Sequence, residues 1–259
     1  MRNIKLTIQY DGTNFHGWQT QPNGVSVQQV IEEAIFSIIQ ERPKLKASGR
    51  TDAGVHALSQ IANFKLNSPL DVQKIQKGLN SKLPKNIAIL GAEEVPLGFD
   101  AKIFAKKKLY RYYIYNSMIR DVFSYNYSKF VPYFLNAPLM KIAAEHLIGS
   151  HDFSAFRSSS CEAKTATRTI YKLEVSQNFS IKNKNYMSES SFKPCEIIID
   201  VLGSGFLKYM VRNIVGTLME VGRGKLPPEE IKEILVSRDR KKAGPTAQPQ
   251  GLFLVEVFY

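Results

Sequence analysis

The hydrophobic period of this chain switches between two and 3.6 in a fixed order, and then runs through that order a second time. Ile4, Leu6, Ile8 and Tyr10 alternate with Lys5, Thr7 and Gln9, the spacing of a half-buried strand, and Asp11-Gly12 ends it. Ser26 opens a helix as its N-cap, with Gln29 placed for a capping box and Val25 and Val30 for a hydrophobic staple. Val27, Val30, Ile31, Ala34, Ile35 and Ile38 form its apolar stripe, and Pro43 closes the segment. A short strand is expected near 44–48 and another over 60–66, with Ala62, Phe64 and Leu66 on one face. Ser68-Pro69 then start a second helix with Pro69 at the first helical position, where a missing N–H costs nothing, and Val72, Ile75 and Leu79 as its stripe. A strand over 87–95 completes β-α-β-β-α-β, the split ferredoxin-like order often used by RNA-binding modules.

From residue 107 the order returns. A strand at 107–116 is followed by an irregular aromatic stretch, a helix at 138–148, strands near 169–176 and 195–202, and a helix from 206 to about 222. A further helix follows Pro227-Pro228, and GLFLVEVFY is the last strand. The expected class is therefore α+β, built from two ferredoxin-like halves, residues 1–105 and 106–259. The stretch from Ser176 to Pro194 is polar and weakly patterned, and is expected to be an extended hairpin loop.

Charge narrows the partners. Lysine and arginine number 35 against 23 aspartates and glutamates, a net +12, and a chain this basic suits a polyanion such as nucleic acid. A hydrophobic content of 44% places the chain among globular proteins rather than disordered ones. The alternating N-terminus cannot be the apolar core of a signal peptide, and no apolar run is long enough to span a membrane, so a cytoplasmic protein is expected. Cys161 and Cys195 fit reduced thiols, and neither they nor His146 and His151 have metal-ligand spacing, so no metal site is expected. Gly203-Ser204-Gly205 is like the start of a dinucleotide loop, but Lys208 stands where the third glycine belongs, and no GxxxxGK[ST] occurs. A nucleotide-dependent enzyme is the weaker alternative.

Three stretches could carry chemistry. SGRTDAGVHA (48–57) falls between the second and third strands of the first half. It is either a plain turn, with Gly54 at positive φ, or a turn that mounts the Asp52 carboxylate beside Arg50 and His56. In KKKLYRYYIYN (106–116), Tyr110, Tyr112 and Ile114 share one strand face while Arg111, Tyr113 and Tyr115 share the other. One face is ordinary sheet packing, and lysines beside exposed tyrosines on the other suit base stacking. In GSGFLKYMVRNIVG (203–216), Leu207, Met210, Val211 and Ile214 lie on the core stripe, and Arg212 faces away from it with Lys208 and Arg223. That face is either solvated or turned toward a cleft.

Taken together, YDGTNFHGWQ, GRTDAGVHA, KLYRYYIYN, HDFSAF, MVRNIVGTLMEVG and AGPTAQPQGLFLV, in this order and across nearly the whole chain, resemble the tRNA pseudouridine synthase A family. The resemblance implies isomerisation of uridine to pseudouridine in the anticodon stem-loop of tRNA, at positions 38–40, with neither cofactor nor metal. It also implies a homodimer that holds the tRNA, and two halves sharing one continuous, mainly antiparallel sheet with the active site in a basic cleft between them. Carried onto this sequence, the family's catalytic aspartate is Asp52 and the neighbouring arginine that helps displace the target base is Arg50. The tyrosine that stacks on the flipped uracil is Tyr110, and the arginine that pairs with the catalytic carboxylate is Arg212. The 176–194 stretch looks longer than is usual for the family.

The chemistry suits these residue types. Making pseudouridine breaks the bond from ribose C1′ to uracil N1 and joins C1′ to C5, with no oxidation and no hydrolysis. A carboxylate can serve as nucleophile at C1′ or at C6 of the ring, or as a base at C2′. With a reference pKa of about 3.9 it is ionised at neutral pH and needs no activating histidine. A non-catalytic tRNA-binding protein or chaperone is the alternative from another class, and a carboxylate presented to a polyanion would serve it poorly.

Overall fold

The structure is a computed structural model that describes residues 1–179 and 192–259. In chain order its elements are β1 (Arg2–Tyr10), α1 (Val27–Ile39), β2 (Lys46–Ala47), β3 (His56–Leu66), α2 (Val72–Lys82) and β4 (Ile87–Val95). These are followed by β5 (Lys107–Asn116), β6 (Lys129–Val131), α3 (Ala137–Glu145), β7 (Gly149–Asp152) and β8 (Thr167–Phe179). The chain ends with β9 (Cys195–Gly203), α4 (Met210–Gly222), α5 (Glu230–Ser237) and β10 (Leu252–Phe258). This is the α+β class that the alternating periods require, with mostly antiparallel pairing. The chain divides into two compact units, Met1–Lys108 with Phe253–Tyr259, and Leu109–Leu252.

In the first unit, β1 pairs antiparallel with β4 on one edge and with β3 on the other. The far edge of β3 takes β2, antiparallel at Lys46↔Asn63, and β10, parallel at Phe253↔His56. The period-two side chains Ile4, Leu6 and Ile8 are fully buried, as are Ile31 and Ile35 of the α1 stripe and Ile75 and Leu79 of α2. The β1–β3 register shifts between Ile8 and Tyr10, where β3 begins. Ser26 caps α1, its Oγ accepting from Gln29 N at 3.2 Å, worth about 1 kcal/mol. The reciprocal half of a capping box is not made, because Gln29 Nε2 donates instead to Glu33 one turn along. Val25 is 52% exposed, so no buried staple forms.

The second helix begins later than Ser68-Pro69 suggests. Asp71 is its N-cap, with Oδ1 accepting from Gln73 N at 2.8 Å and Lys74 N at 3.3 Å. A carboxylate holding two amides at the positive end of the helix dipole outcompetes Ser68, whose hydroxyl accepts from Leu70 N in the preceding turn.

In the second unit the strand order is β5-β9-β8-β7, with β6 parallel to β5. β8 and β9 form an antiparallel hairpin whose outermost pair is Phe179↔Cys195. Residues 180–191, most of the loop expected at 176–194, lie outside the described residues. α3 packs against α4 and β8, and α4 is buried over most of its length. That helix starts at Met210 rather than 206, because Tyr209 takes a left-handed conformation (φ 64°) that a helix cannot pass through. β7 has no signal in the sequence; GSHD has no alternation, and it is a strand because it pairs with the edge of β8. Among the described residues no helix is long and apolar enough to cross a membrane.

Candidate active site

Arg50 and Asp52 lie on the loop between β2 and β3 in the first unit; Arg50 is exposed and Asp52 half-buried. The turn itself is the one its residues dictate. Val55 N donates to Asp52 O at 3.1 Å, and Gly54 takes φ 76°, where a side chain would be strained. Between the two charged residues, Thr51 is buried, with its hydroxyl 2.7 Å from the Tyr10 hydroxyl at the end of β1. Burial pushes that tyrosine's pKa up, so it remains a neutral hydrogen-bonding group.

A second loop, residues 11–18, wraps the first. Trp18 N donates to Thr51 O at 3.1 Å and Gly54 N to Phe15 O at 3.2 Å, so both ends of Thr51–Gly54 are tied to it. Gly12 N donates to His56 Nδ1 at 3.0 Å, and the same nitrogen lies 3.2 Å from Asp11 Oδ1. The His56 ring, 1% exposed, stacks on Phe253 of β10 at 4.5 Å. The backbones approach so closely that a Cβ at Gly12 would stand 2.0 Å from Val55 O. These are the YDGTNFHGW residues. In the sequence Asp11-Gly12 marks the end of a strand, and two glycines within six residues, beside aromatics, are a readable sign of close backbone contact.

The entrance to the loop is fastened separately. Ser48 Oγ donates to Gln60 Oε1 at 2.7 Å, and Gln60 Nε2 donates to Gly49 O at 3.0 Å. Lys108, at the start of β5, donates from Nζ to Ser48 O at 2.6 Å. Burial, reinforced by the charge of Lys102, pushes the Lys108 ammonium down to about 8. Arg50 and Asp52 therefore project from a backbone held at Ser48, Gly49, Thr51 and Gly54.

Tyr110 and Arg212 belong to the second unit. The strand alternation places Tyr110, Tyr112 and Ile114 on the buried face of β5 and Arg111, Tyr113 and Tyr115 on the half-exposed face. Tyr110 is 7% exposed, and its ring stands perpendicular to that of Phe206 at 5.2 Å. Arg111 does not stand in a row of open cations: Nε and Nη2 each donate to Asp200 of β9 at 2.7 Å, and that carboxylate raises its pKa.

Arg212 leaves the core stripe of α4 as the periodicity requires; it is half-buried, whereas Lys208 and Arg223 are exposed, and Lys208 Nζ lies 5.6 Å from the Tyr209 ring. Arg212 Nε donates to Ala247 O at 2.7 Å, and its guanidinium lies over the Tyr209 ring at 4.7 Å. Arg223 lies over Tyr133 at 4.5 Å, and Lys208 Nζ donates to Ser160 Oγ at 3.0 Å. The Tyr112 hydroxyl takes the next carbonyl after Ala247, Gln248 O, at 2.7 Å. Segment 243–251 thus receives both the buried face of β5 and the cationic side chain of α4. Among the described residues, no group of three or more histidines, cysteines and acids could hold a metal ion.

Comparison with known proteins gives the family of the chain. A family model described as tRNA pseudouridine synthase matches residues 6–102 and 143–259. The chain is 49% identical to a tRNA pseudouridine synthase A of Geotalea uraniireducens (strain Rf4), 46% to that of Pelobacter propionicus (strain DSM 2379 / NBRC 103807 / OttBd1) and 43% to that of Thermoanaerobacter sp. (strain X514). Each match runs over 259 residues and covers 100% of both chains. The clamped loops of the first unit and the segment that receives Arg212 in the second are both inside the matched regions, and the chain belongs to the tRNA pseudouridine synthase A family.

Proposed function

We propose that the protein is a tRNA pseudouridine synthase that isomerises uridine to pseudouridine in the anticodon stem-loop of tRNA, at positions 38–40. One observation carries the reading beyond family membership. Asp52, in the family's GRTDAGVHA motif, is half-buried on a loop whose backbone is held by the 11–18 loop and by the side chains of Gln60 and Lys108. A +12 chain that only bound a polyanion would gain nothing from mounting a carboxylate so firmly.

Each residue then has a role. Asp52 attacks C1′ or uracil C6, or removes a proton at C2′, while the C1′–N1 bond breaks and the C1′–C5 bond forms. The target base must leave its stack, which costs a few kcal/mol. Arg50, exposed beside Asp52, fills the vacated space, and the ring of Tyr110 stacks on the flipped uracil. Arg212 orients the Asp52 carboxylate. This requires residues 1–105 and 106–259 to act as two ferredoxin-like halves of one sheet, with the reaction in a basic cleft between them. It also takes the protein as a cytoplasmic homodimer that holds tRNA without a metal or nucleotide cofactor.

The test uses purified protein and uridine-containing tRNA transcripts, with pseudouridine mapped by chemical derivatisation. Product confined to positions 38–40 is the expected result. Tight binding without product would leave a tRNA-binding protein, and product elsewhere in the tRNA would overturn the assigned target.

A further inference from the structure

Arg212 is held by a segment with almost no regular structure. Its Nε donates to Ala247 O at 2.7 Å, and its own carbonyl accepts from Ala247 N at 3.0 Å, so one residue of 243–251 (AGPTAQPQG) grips both its main chain and its side chain. Until a short 3-10 turn at Pro249–Gly251 the segment has neither helix nor strand to stiffen it. What fastens it is a polar cluster one residue along the helix.

Asn213 is fully buried. Its Oδ1 accepts from Thr246 Oγ1 at 2.6 Å and from Arg240 Nη2 at 3.0 Å, and its Nδ2 donates to Phe156 O at 2.7 Å. Arg240 also donates to Thr246 Oγ1 at 3.2 Å and to Ala243 O at 3.1 Å. One turn further, Thr217 Oγ1 accepts from Gly244 N at 2.9 Å and donates to Asn213 O at 2.7 Å. The contact is backbone on backbone, since a Cβ at Gly216 would lie 1.6 Å from Pro245 O. Every hydrogen-bonding atom of the Asn213 amide is engaged, and two of its three bonds reach residues that touch or lie within the segment.

We infer that Asn213, Thr246 and Arg240 are positioning residues for Arg212. They fix the segment whose Ala247 carbonyl, together with the Tyr209 ring, sets the direction in which Nη1 and Nη2 of Arg212 project. The inference rests on the reading of Arg212 as the partner of the reacting carboxylate. An arginine whose Nε acceptor is loose swings with that acceptor; here the acceptor's segment is tied through Thr246 and Gly244.

Thr246→Val removes the hydroxyl and keeps the shape, whereas Thr246→Ser keeps the hydroxyl. In single-turnover pseudouridine formation, Thr246→Val should be slower by roughly tenfold with its tRNA Kd changed less than about twofold, and Thr246→Ser should be near wild type. Arg240→Gln should behave like Thr246→Val, which guards against one variant failing to fold; melting temperatures are read alongside. In an Arg212→Lys background, where no Nε–H reaches Ala247, Thr246→Val should add less than about a twofold effect. An equal factor in both backgrounds would mean that the cluster acts elsewhere and would overturn the inference. So would an unchanged rate for Thr246→Val and Arg240→Gln while Arg212→Ala is slow. A wild-type rate for Arg212→Ala would instead remove the reading of Arg212, and this inference with it.

Discussion

Asp52 owes its presentation to residues some forty positions earlier in the chain. The motif alone leaves a turn and a mounted carboxylate indistinguishable, because Asp-Ala-Gly forms the same turn in either case. The structure adds the grip of Phe15 and Trp18 on the loop and the contact of Gly12 with Val55, which no local pattern reveals. Gly12→Ala should therefore cost roughly 1–3 kcal/mol of stability by forcing two backbones apart. It should also slow catalysis with little change in tRNA affinity; thermal unfolding and single-turnover rates check this together. Lys108 supplies a second prediction. Its ammonium titrates near 8 in the folded protein and near 10.5 in the unfolded chain. Between those values the unfolded chain binds more protons, so the stability that Lys108 contributes rises with pH and is lost as pH falls through 8. From pH 7 to 10 the melting temperature of the wild type should rise relative to Lys108→Met. A constant difference would contradict the shifted ammonium.

Among the elements, period was legible, and so were the termini marked by a local signal, such as Ser26 before α1 and Asp11-Gly12 after β1; the starts of α2 and α4 were not. The buried face of β5 is the one the alternation selects, and Ile4, Leu6, Ile8 and Tyr10 of β1 are buried likewise, because burial on one face is a local property of the pattern. In α4 the apolar stripe is buried, but so are Asn213, Val215, Thr217 and Met219 beside it. The start of α2 depended on Asp71 outcompeting Ser68, and the start of α4 on a left-handed tyrosine that carries no sequence signal. β7 becomes a strand only through β8, and β10 adds to β3 from the far end of the chain. Arg111 shows the same limit. Its sequence setting among lysines and tyrosines suggests a nucleic-acid surface, yet Asp200 occupies it from a distant strand. Arg111→Met should lower stability by about 1–2 kcal/mol, allowing for the partial exposure of the pair, and should leave tRNA affinity close to wild type. A large loss of affinity without destabilisation would place Arg111 on the RNA after all.

For the whole molecule, the +12 net charge predicts that tRNA binding is dominated by phosphate contacts. With six or more such contacts, affinity should fall by roughly 10³-fold between 50 and 200 mM salt. A shallow salt dependence, read from binding isotherms, would point to recognition by shape and bases instead. Charge reached the class of partner and the paired periods reached the α+β class, since both are sums over many residues. The particular chemistry came from six short motifs that resemble one family, and family membership then rested on whole-length similarity. Whether Asp52 is the reacting group is decided by comparing wild-type protein with Asp52→Asn, on the same tRNA, without added metal or nucleotide. Pseudouridine should form with the wild type, several orders of magnitude more slowly with the variant, and the two should share the same tRNA Kd. Near-normal turnover by Asp52→Asn with tRNA bound would contradict that role, and the reacting group would have to be sought elsewhere.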